Sequence, residues 1–206
     1  MKKFSAIILF VSIVIMPTLA ATIASGTCDD GLDWELSDEY VLTLSGSGDM
    51  RGYAGKQSER PWHPYRSSIK SVYVQDGITS VGRYAFTQLE ALQAISIGST
   101  VKTIDDGAFM WCEQLTMVLL QNGLEHIGSS AFAGCSKLTA VSLPATLKTI
   151  GNASFEDCDK LTSVTLPNTL ESIGDAAFRN CESLATIYVG APVPPTLSAT
   201  SLSGTT

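Results

Sequence analysis

The sequence is poor in the side chains on which most catalytic and nucleic-acid-binding proteins depend. Its 206 residues include two histidines, and 13 basic residues stand against 20 acidic ones, so the net charge is −7. An acidic surface repels phosphate groups, which argues against nucleic acid and against anionic membranes as partners. After residue 20 the chain also lacks an apolar run of the roughly 20 residues that a membrane span needs. We therefore expect no nucleic-acid partner and no transmembrane segment in the mature chain.

The first twenty residues have the pattern of a secretory signal peptide. Lys2 and Lys3 give a positive start, an apolar run follows over residues 4–15, and Pro17 then supplies a helix breaker before a small residue, Ala20, at a plausible cleavage site. The alternative is a membrane anchor, but the apolar run is shorter than a span requires. We expect export with cleavage after Ala20 or Ala24. Loss of the two lysines changes the net charge from −7 to −9.

A repeat of constant length dominates the rest of the chain. Its length is 23 residues, which is the separation in sequence between Phe86 and Phe109. Several apolar positions and one cysteine position recur at this step, all in register with one another, and chance does not align so many columns. The columns are Phe86, Phe109, Phe132, Phe155 and Phe178; Val81, Ile104, Ile127, Ile150 and Ile173; Ile69, Leu92, Leu115, Leu138, Leu161 and Leu184; and Cys112, Cys135, Cys158 and Cys181.

Two shorter periods lie inside each unit. Val141 and Leu143 alternate as in a strand with one buried face, whereas Phe155, Cys158 and Leu161 recur every third residue, as in one short α or 3₁₀ turn. Because one unit cannot bury its own apolar edge, the units must stack. The sequence predicts an α/β repeat solenoid with a short strand and a short helical turn in each repeat. Helix N-cap residue types precede four of the phenylalanines by three positions: Asp106, Ser129, Asn152 and Asp175.

The repeat resembles a known family. One unit reads Leu-x-x-Val-x-Leu-Pro-x-x-Leu-x-x-Ile-Gly and continues to Phe-x-x-Cys, and residues 69–189 follow this pattern without insertions. In this they resemble the bacterial surface leucine-rich repeat proteins called BspA-like. Gly82, Gly128, Gly151 and Gly174 fit the family's bend, and Asp105 departs from it. The resemblance implies surface exposure and adhesion to host proteins or other cells.

Residues 26–66 are similar to the module that often precedes such repeats. Its marks are Cys28, Trp34, the alternating segment 40–44 and Pro61–Trp62. A β-hairpin with an aromatic plug would cover the first rung, since exposed solenoid ends need a cap. The predicted organisation is a signal peptide at 1–20, a β-rich cap at 26–66, the solenoid at 67–190, and a Pro/Ser/Thr-rich tail or incomplete repeat at 191–206.

The cysteines and histidines offer little chemistry. Thiols in a line at steps of about 5 Å do not converge on one zinc ion. Neighbouring pairs could form disulfides in an exported protein, but Leu89 fills the same column in the first repeat, which favours free thiols in an apolar slot. His63 and His126 lack neighbours that spacing would assemble into a catalytic triad. We expect no metal, no cofactor and no catalytic residues.

The outward positions of the predicted strands form the largest repeated face. Their columns contain no acid, no base and no nucleophile with an activating partner, so paired carboxylates for glycoside cleavage are absent from this face. The face carries hydroxyls, tyrosines and a central apolar pair, and methionine and aromatic side chains are favoured at binding surfaces. The predicted partner-binding residues are Tyr73, Ser96, Met117, Leu119, Ser142, Thr165 and Tyr188, with Met110 and Trp111 as a second outlier.

These features predict a non-catalytic binding or adhesion protein that is secreted or held at the cell surface. Its partner would be a host or cell-surface protein, the extracellular matrix or a glycan. A structural spacer of the envelope without its own ligand is the alternative. A polysaccharide-active enzyme of β-helix type is the third and least favoured interpretation.

Overall fold

The computed structural model describes residues 20–29, 31–190, 196–197, 200–201 and 203–205, so the predicted signal peptide before Ala20 lies outside it. Within these ranges the chain winds into a solenoid of short strands. The strands are β1 (Thr22–Asp29), β2 (Leu32–Ser37), β3 (Val41–Gly46), β4 (Gly48–Asp49), β5 (Ser71–Val74), β6 (Ile78–Val81), β7 (Ala94–Ile97), β8 (Thr103–Ile104), β9 (Met117–Leu120), β10 (His126–Ile127), β11 (Ala140–Ser142), β12 (Thr149–Ile150), β13 (Ser163–Leu166), β14 (Ser172–Ile173), β15 (Thr186–Val189) and β16 (Thr196–Leu197).

Two sides of each coil are β-sheets. The longer strands form the long-strand sheet, with the hydrogen-bonded orders β1-β2-β3-β5-β7-β9 and β11-β13-β15, and β11 lies beside β9. The short-strand sheet has the order β16-β14-β12-β10-β8-β6-β4. From β3 onward the pairing is parallel, and partners on neighbouring coils of the repeats occupy equivalent positions of successive units, as in Ser96↔Leu119. Alternation buries every second strand residue, such as Val118 and Leu120.

A column of aromatic rings runs through the core. Phe86, Phe109, Phe132, Phe155 and Phe178 are fully buried, and successive ring centroids lie 5.2–5.4 Å apart with nearly parallel planes. That step is close to the ~4.8 Å spacing of neighbouring strands. The rings therefore stack at the same interval as the backbone that carries them, and each coil fits the next without a gap.

The short helical turn predicted for each repeat is wrong. The helices in the described residues are two 3₁₀ turns before the repeats, Gln57–Glu59 and His63–Tyr65. Each coil instead has a turn segment (residues 82–90, 105–113, 128–136, 151–159 and 174–182) with a left-handed residue at two positions. These positions are Tyr84, Gly107, Ser130, Ala153 and Ala176, and Gln88, Trp111, Gly134, Asp157 and Asn180.

In the turn segments, alternate backbone N–H groups donate to the next coil, whereas others close tight turns within the segment, such as that of Ala133 to the carbonyl oxygen of Ser130 at 3.1 Å. The backbone N–H of Phe86 donates to the carbonyl oxygen of Ala108 at 2.8 Å, and the N–H of Phe132 donates to that of Ser154 at 2.8 Å. In an α-helix these N–H groups would instead donate to carbonyl oxygens four residues earlier in the same segment. The side chain of Asn152, predicted to be an N-cap, accepts instead from the N–H of the equivalent residue one coil later, Asp175, at 2.8 Å.

The residues before the repeats supply the donors that a preceding coil would supply. In the first turn segment, the carbonyl oxygen of Arg83 accepts from the Tyr53 N–H at 2.7 Å, and that of Ala85 accepts from the Trp62 Nε1–H at 3.0 Å. The buried Arg60 donates through Nη1 to the carbonyl oxygen of Thr87 at 2.7 Å, and burial lowers the pKa of Arg60 to about 10. The Trp62 ring also stacks on Phe86 at 5.3 Å. The first coil is thus closed by side chains.

The ladder cysteines are free and buried. Cys112, Cys135, Cys158 and Cys181 point their thiols at the carbonyl oxygens of the phenylalanines one coil earlier, at 3.1–3.4 Å. Burial raises the pKa of Cys112 and of Cys181 to about 12. The fifth cysteine, Cys28, is also free and buried in β1. An apolar slot in which the thiol, a weak donor, faces a backbone carbonyl oxygen accounts for the column better than disulfide pairs.

The two predicted cleavage sites differ in how much of β1 they leave in the mature chain. Ala24 lies inside β1, where it pairs with Leu36 and packs against the core. Cleavage after Ala20 therefore leaves the whole strand, whereas cleavage after Ala24 removes its first three residues. The signal peptide itself remains a prediction.

We predict that Ser154→Ala stabilises the protein. Ser154 is fully buried, its hydroxyl has no hydrogen-bond partner, and the equivalent position in four other coils is alanine. Removing an unpaired buried hydroxyl raises the free energy of unfolding by about 1 kcal/mol. The neighbouring Phe155→Ala is the matched control, and it lowers the same quantity by ~3–5 kcal/mol. Urea denaturation followed by circular dichroism measures both, and a loss of stability in Ser154→Ala would contradict the burial of its hydroxyl.

We also predict that the ladder thiols are unreactive in the native state. Their burial and raised pKa leave almost no accessible thiolate at neutral pH, and only the thiolate is nucleophilic. A bulky disulfide reagent should modify the column only after denaturation, whereas a surface cysteine introduced as Ser142→Cys should react at once. The apolar-slot interpretation would be overturned if mass spectrometry of the native protein found disulfides joining any two of the four ladder cysteines.

Candidate functional site

The long-strand sheet brings most of the predicted partner-binding residues into one row. Tyr73 lies opposite Ser96 and Ser96 opposite Leu119, whereas Ser142 lies opposite Thr165 and Thr165 opposite Tyr188. We call this row and the adjoining Met117 the strand face. The residues of the strand face that the sequence placed together are therefore neighbours in the structure. Their use in binding remains a prediction.

The apolar centre of the strand face is exposed. Met117 is 53% exposed and Leu119 is 37% exposed, whereas Val118 and Leu120, the alternate residues of the same strand, point into the core. On the next strand the small residues Ala140 and Ser142 lie beside this pair, and they leave it uncovered. Tyr188 at the last rung is 59% exposed. The face thus offers two aliphatic side chains among hydroxyl groups.

The second predicted outlier lies on a different side of the coil. Trp111 occupies a left-handed position in its turn segment, with φ of 60°, and its side chain is 44% exposed, whereas Met110 is half-buried. The indole ring covers Gly134, the equivalent residue of the next coil, where an added Cβ would overlap the ring. Tyr84 and Gly107 repeat this arrangement. In both places a glycine makes room for the aromatic ring of the preceding coil.

Two open cavities flank Trp111 along the turn segments. One has a volume of about 470 Å³ and is lined by Arg66, Gln88, Glu90, Trp111 and Glu113. The other has about 320 Å³, and its walls include Glu113, Asp157, Asp159 and Glu182. Glu90, Glu113, Asp159 and Glu182 form a further column in register with the repeat. This column was not predicted, although it has the same period as the phenylalanine column and is readable in the sequence.

The histidines have structural neighbours. His126 Nδ1 lies 2.9 Å from Thr149 Oγ1 on the exposed short-strand sheet, and His63 Nδ1 lies 3.4 Å from a guanidinium nitrogen of Arg60. Burial and the nearby Arg60 lower the pKa of His63. In the described ranges no group of three or more His, Cys, Asp or Glu side chains is arranged to hold a metal ion.

The repeats match one known family over more than half of the chain. Residues 64–189 match the family described as "BspA type Leucine rich repeat region (6 copies)". The chain belongs to the BspA-type leucine-rich repeat family. Among curated proteins, none is significantly similar in sequence to the chain.

Solved structures share the fold of this BspA-type chain. A leucine-rich repeat protein from Eubacterium ventriosum is 28% identical with a TM-score of 0.75, covering 82% of this chain and 44% of its own. The Treponema protein TpLRR, from T. pallidum, is 21% identical with a TM-score of 0.63, covering 79% and 81%. A leucine-rich cell surface protein from Faecalibacterium prausnitzii is 22% identical with a TM-score of 0.52, covering 84% and 56%. The chain thus spans less than half of the Eubacterium protein.

Among the residues that the structure describes, no helix has the length and apolar character needed to cross a bilayer.

We predict that Trp111 and Gly134 are energetically coupled. Gly134→Ala puts a Cβ into the space of the Trp111 ring and forces alanine into a left-handed conformation with φ of 74°, so it should cost about 2–3 kcal/mol of unfolding free energy. In a Trp111→Asn background only the backbone cost of about 1 kcal/mol remains. A double-mutant cycle by urea denaturation should give a coupling of at least ~1 kcal/mol. Additive losses would mean that the ring does not rest on Gly134.

Proposed function

We propose that the chain is a non-catalytic, secreted or cell-surface binding protein whose strand face contacts a partner protein. The observation that carries this proposal is the exposed pair Met117 and Leu119 at the centre of the face. In other coils the equivalent positions hold serine, threonine, tyrosine or alanine. The repeat pattern does not require two large apolar side chains to face solvent at this rung.

The physical argument is one of surface energy. Covering apolar surface contributes about 25 cal/mol for each Å² removed from water, and methionine is enriched at interfaces because its side chain adapts to different partners. The surrounding hydroxyl groups of Ser96, Ser142 and Thr165 supply a polar rim that hydrogen-bonds without a strong charge. A protein with its own apolar patch satisfies both parts of the face better than a glycan does.

Location is proposed on separate grounds. The signal-peptide pattern of residues 1–20 supports export, and one protein with the same fold is described as a leucine-rich cell surface protein. Extended repeat surfaces commonly serve as binding sites in solenoid proteins. Adhesion to host proteins or cells is the role that we infer from these observations together.

We predict that the double variant Met117→Ser, Leu119→Ser loses binding without losing stability. Both side chains are exposed, so the melting temperature should stay unchanged. Binding to immobilised extracellular-matrix proteins and to a glycan array should weaken at least about tenfold, because the centre of an interface carries most of its energy. The matched control is Thr103→Ser with Ser172→Ala on the short-strand sheet, which should bind like the parent.

The outcomes separate the alternatives. If the double variant binds as tightly as the parent, the strand face is not the contact surface. A parent protein that binds no matrix protein and no glycan would favour the structural spacer. Release of soluble sugar from a polysaccharide would favour the β-helix-type enzyme.

A further inference from the structure

We infer that the turn segments around Trp111 form a second contact surface, which takes an arginine-rich segment of a partner protein. The inference rests on the proposed function in one respect, that the chain is a binding protein, but it concerns a different side of the solenoid. Three observations carry it: the backbone position of Trp111, the orientation of its ring, and the charge of the two cavities beside it.

The backbone at Trp111 is left-handed, a conformation that favours glycine, asparagine or aspartate over tryptophan. Its column has φ between 57° and 74° in every coil and holds Gln88, Gly134, Asp157 and Asn180 elsewhere. Glycine, asparagine and aspartate enter this region at low cost, whereas a bulky side chain is an outlier there. Folding alone would be served better by one of the smaller residues. An aromatic residue held in an unfavourable backbone conformation is typical of a functional position.

The ring of Trp111 rests on the next coil and remains partly exposed. Gly134 lets the indole lie against the backbone of the next coil, so the ring has a fixed support and little freedom to move. Of the three tryptophans, Trp34 and Trp62 are buried, whereas Trp111 is 44% exposed. A supported aromatic ring contributes contact area at a low entropic cost, because its rotamer is already set.

The cavities on both sides of the ring are strongly acidic. Arg66 is the single cation among their lining residues, and its Nε lies 3.5 Å from Oε1 of Glu90. Nearby, Lys137 is engaged by Gln114, to which its Nζ donates at 2.6 Å. The carboxylates therefore outnumber the guanidinium five to one; they are Glu90, Glu113, Asp157, Asp159 and Glu182.

Arginine is the side chain that fits this combination. Its planar guanidinium stacks on an aromatic face and donates two parallel hydrogen bonds to a carboxylate, which a lysine ammonium does not do. A cavity on each side of the ring, with Glu113 lining both, accommodates more than one guanidinium along the turn segments. A segment with several arginines would place one group on Trp111 and others against the carboxylates.

The test uses the full mature chain and a nona-arginine peptide, with nona-lysine as the comparison. Because Trp111 is the exposed tryptophan, acrylamide quenching of intrinsic fluorescence reports on its burial. We expect nona-arginine to protect the fluorescence and to bind more tightly than nona-lysine. Isothermal titration calorimetry, which does not depend on Trp111 fluorescence, measures the affinity of each variant. Trp111→Asn keeps a residue suited to the left-handed backbone and should weaken nona-arginine binding about tenfold. Glu113→Gln with Asp159→Asn should weaken it at least about fivefold at low salt.

Matched variants locate the effect. Asp38→Asn with Glu39→Gln removes the same charge from the turn between β2 and β3 and should leave binding within about twofold of the parent. Equal losses in the two charge-neutralised variants, or unchanged binding in Trp111→Asn, would overturn the inference. The double variant Met117→Ser, Leu119→Ser should bind nona-arginine like the parent. Its result separates this surface from the strand face, because failure of either proposal leaves the other measurement unaffected.

Discussion

Along most of the solenoid each coil is held to the next by backbone hydrogen bonds on three sides, although β9 and β11 belong to separate hydrogen-bonded runs of the long-strand sheet. The third side, the turn segments, exists because two residues of each segment are left-handed. Ser130 and Gly134 illustrate the constraint: their N–H groups, and that of Phe132 between them, donate to carbonyl oxygens of the following coil. The buried phenylalanine stack keeps the same step as this ladder, since ring centroids 5.2–5.4 Å apart match the backbone spacing. Core packing and the turn-segment ladder thus support one another from coil to coil.

The sequence was sufficient to predict the strands, the aromatic column and the row of outward residues, because all three depend on a period that is visible in the letters. It was not sufficient to predict the turn segments. A spacing of three between Phe155 and Cys158 suits a helical turn and consecutive tight turns equally well. What decides between them is the neighbouring coil, which takes up the N–H groups that a helix would use internally. Alanine at 153 carries no local signal for a left-handed backbone.

The candidate surfaces were predictable to different degrees. Met117 and Leu119 stood out because they place aliphatic side chains in two columns that elsewhere hold serine, threonine, tyrosine or alanine, and their exposure follows from the strand alternation alone. Trp111 stood out in the same way, but its support by Gly134 is a contact between successive repeats that requires the stacked fold. The acidic cavities arise only when turn segments from several coils lie side by side. Both surfaces share one principle: a departure from the repeat where the scaffold does not demand it.

The closure of the first coil has a consequence for how such chains change in length. Arg60 and Trp62 contact the carbonyl oxygens of Thr87 and Ala85, and these are main-chain atoms that every coil presents. At Thr87 and Ala85 the N-terminal segment therefore contacts main-chain atoms, and the Trp62 ring adds a stack on Phe86. Adding or removing a repeat unit further along the chain therefore changes the length of the solenoid and leaves these contacts at its first coil unchanged.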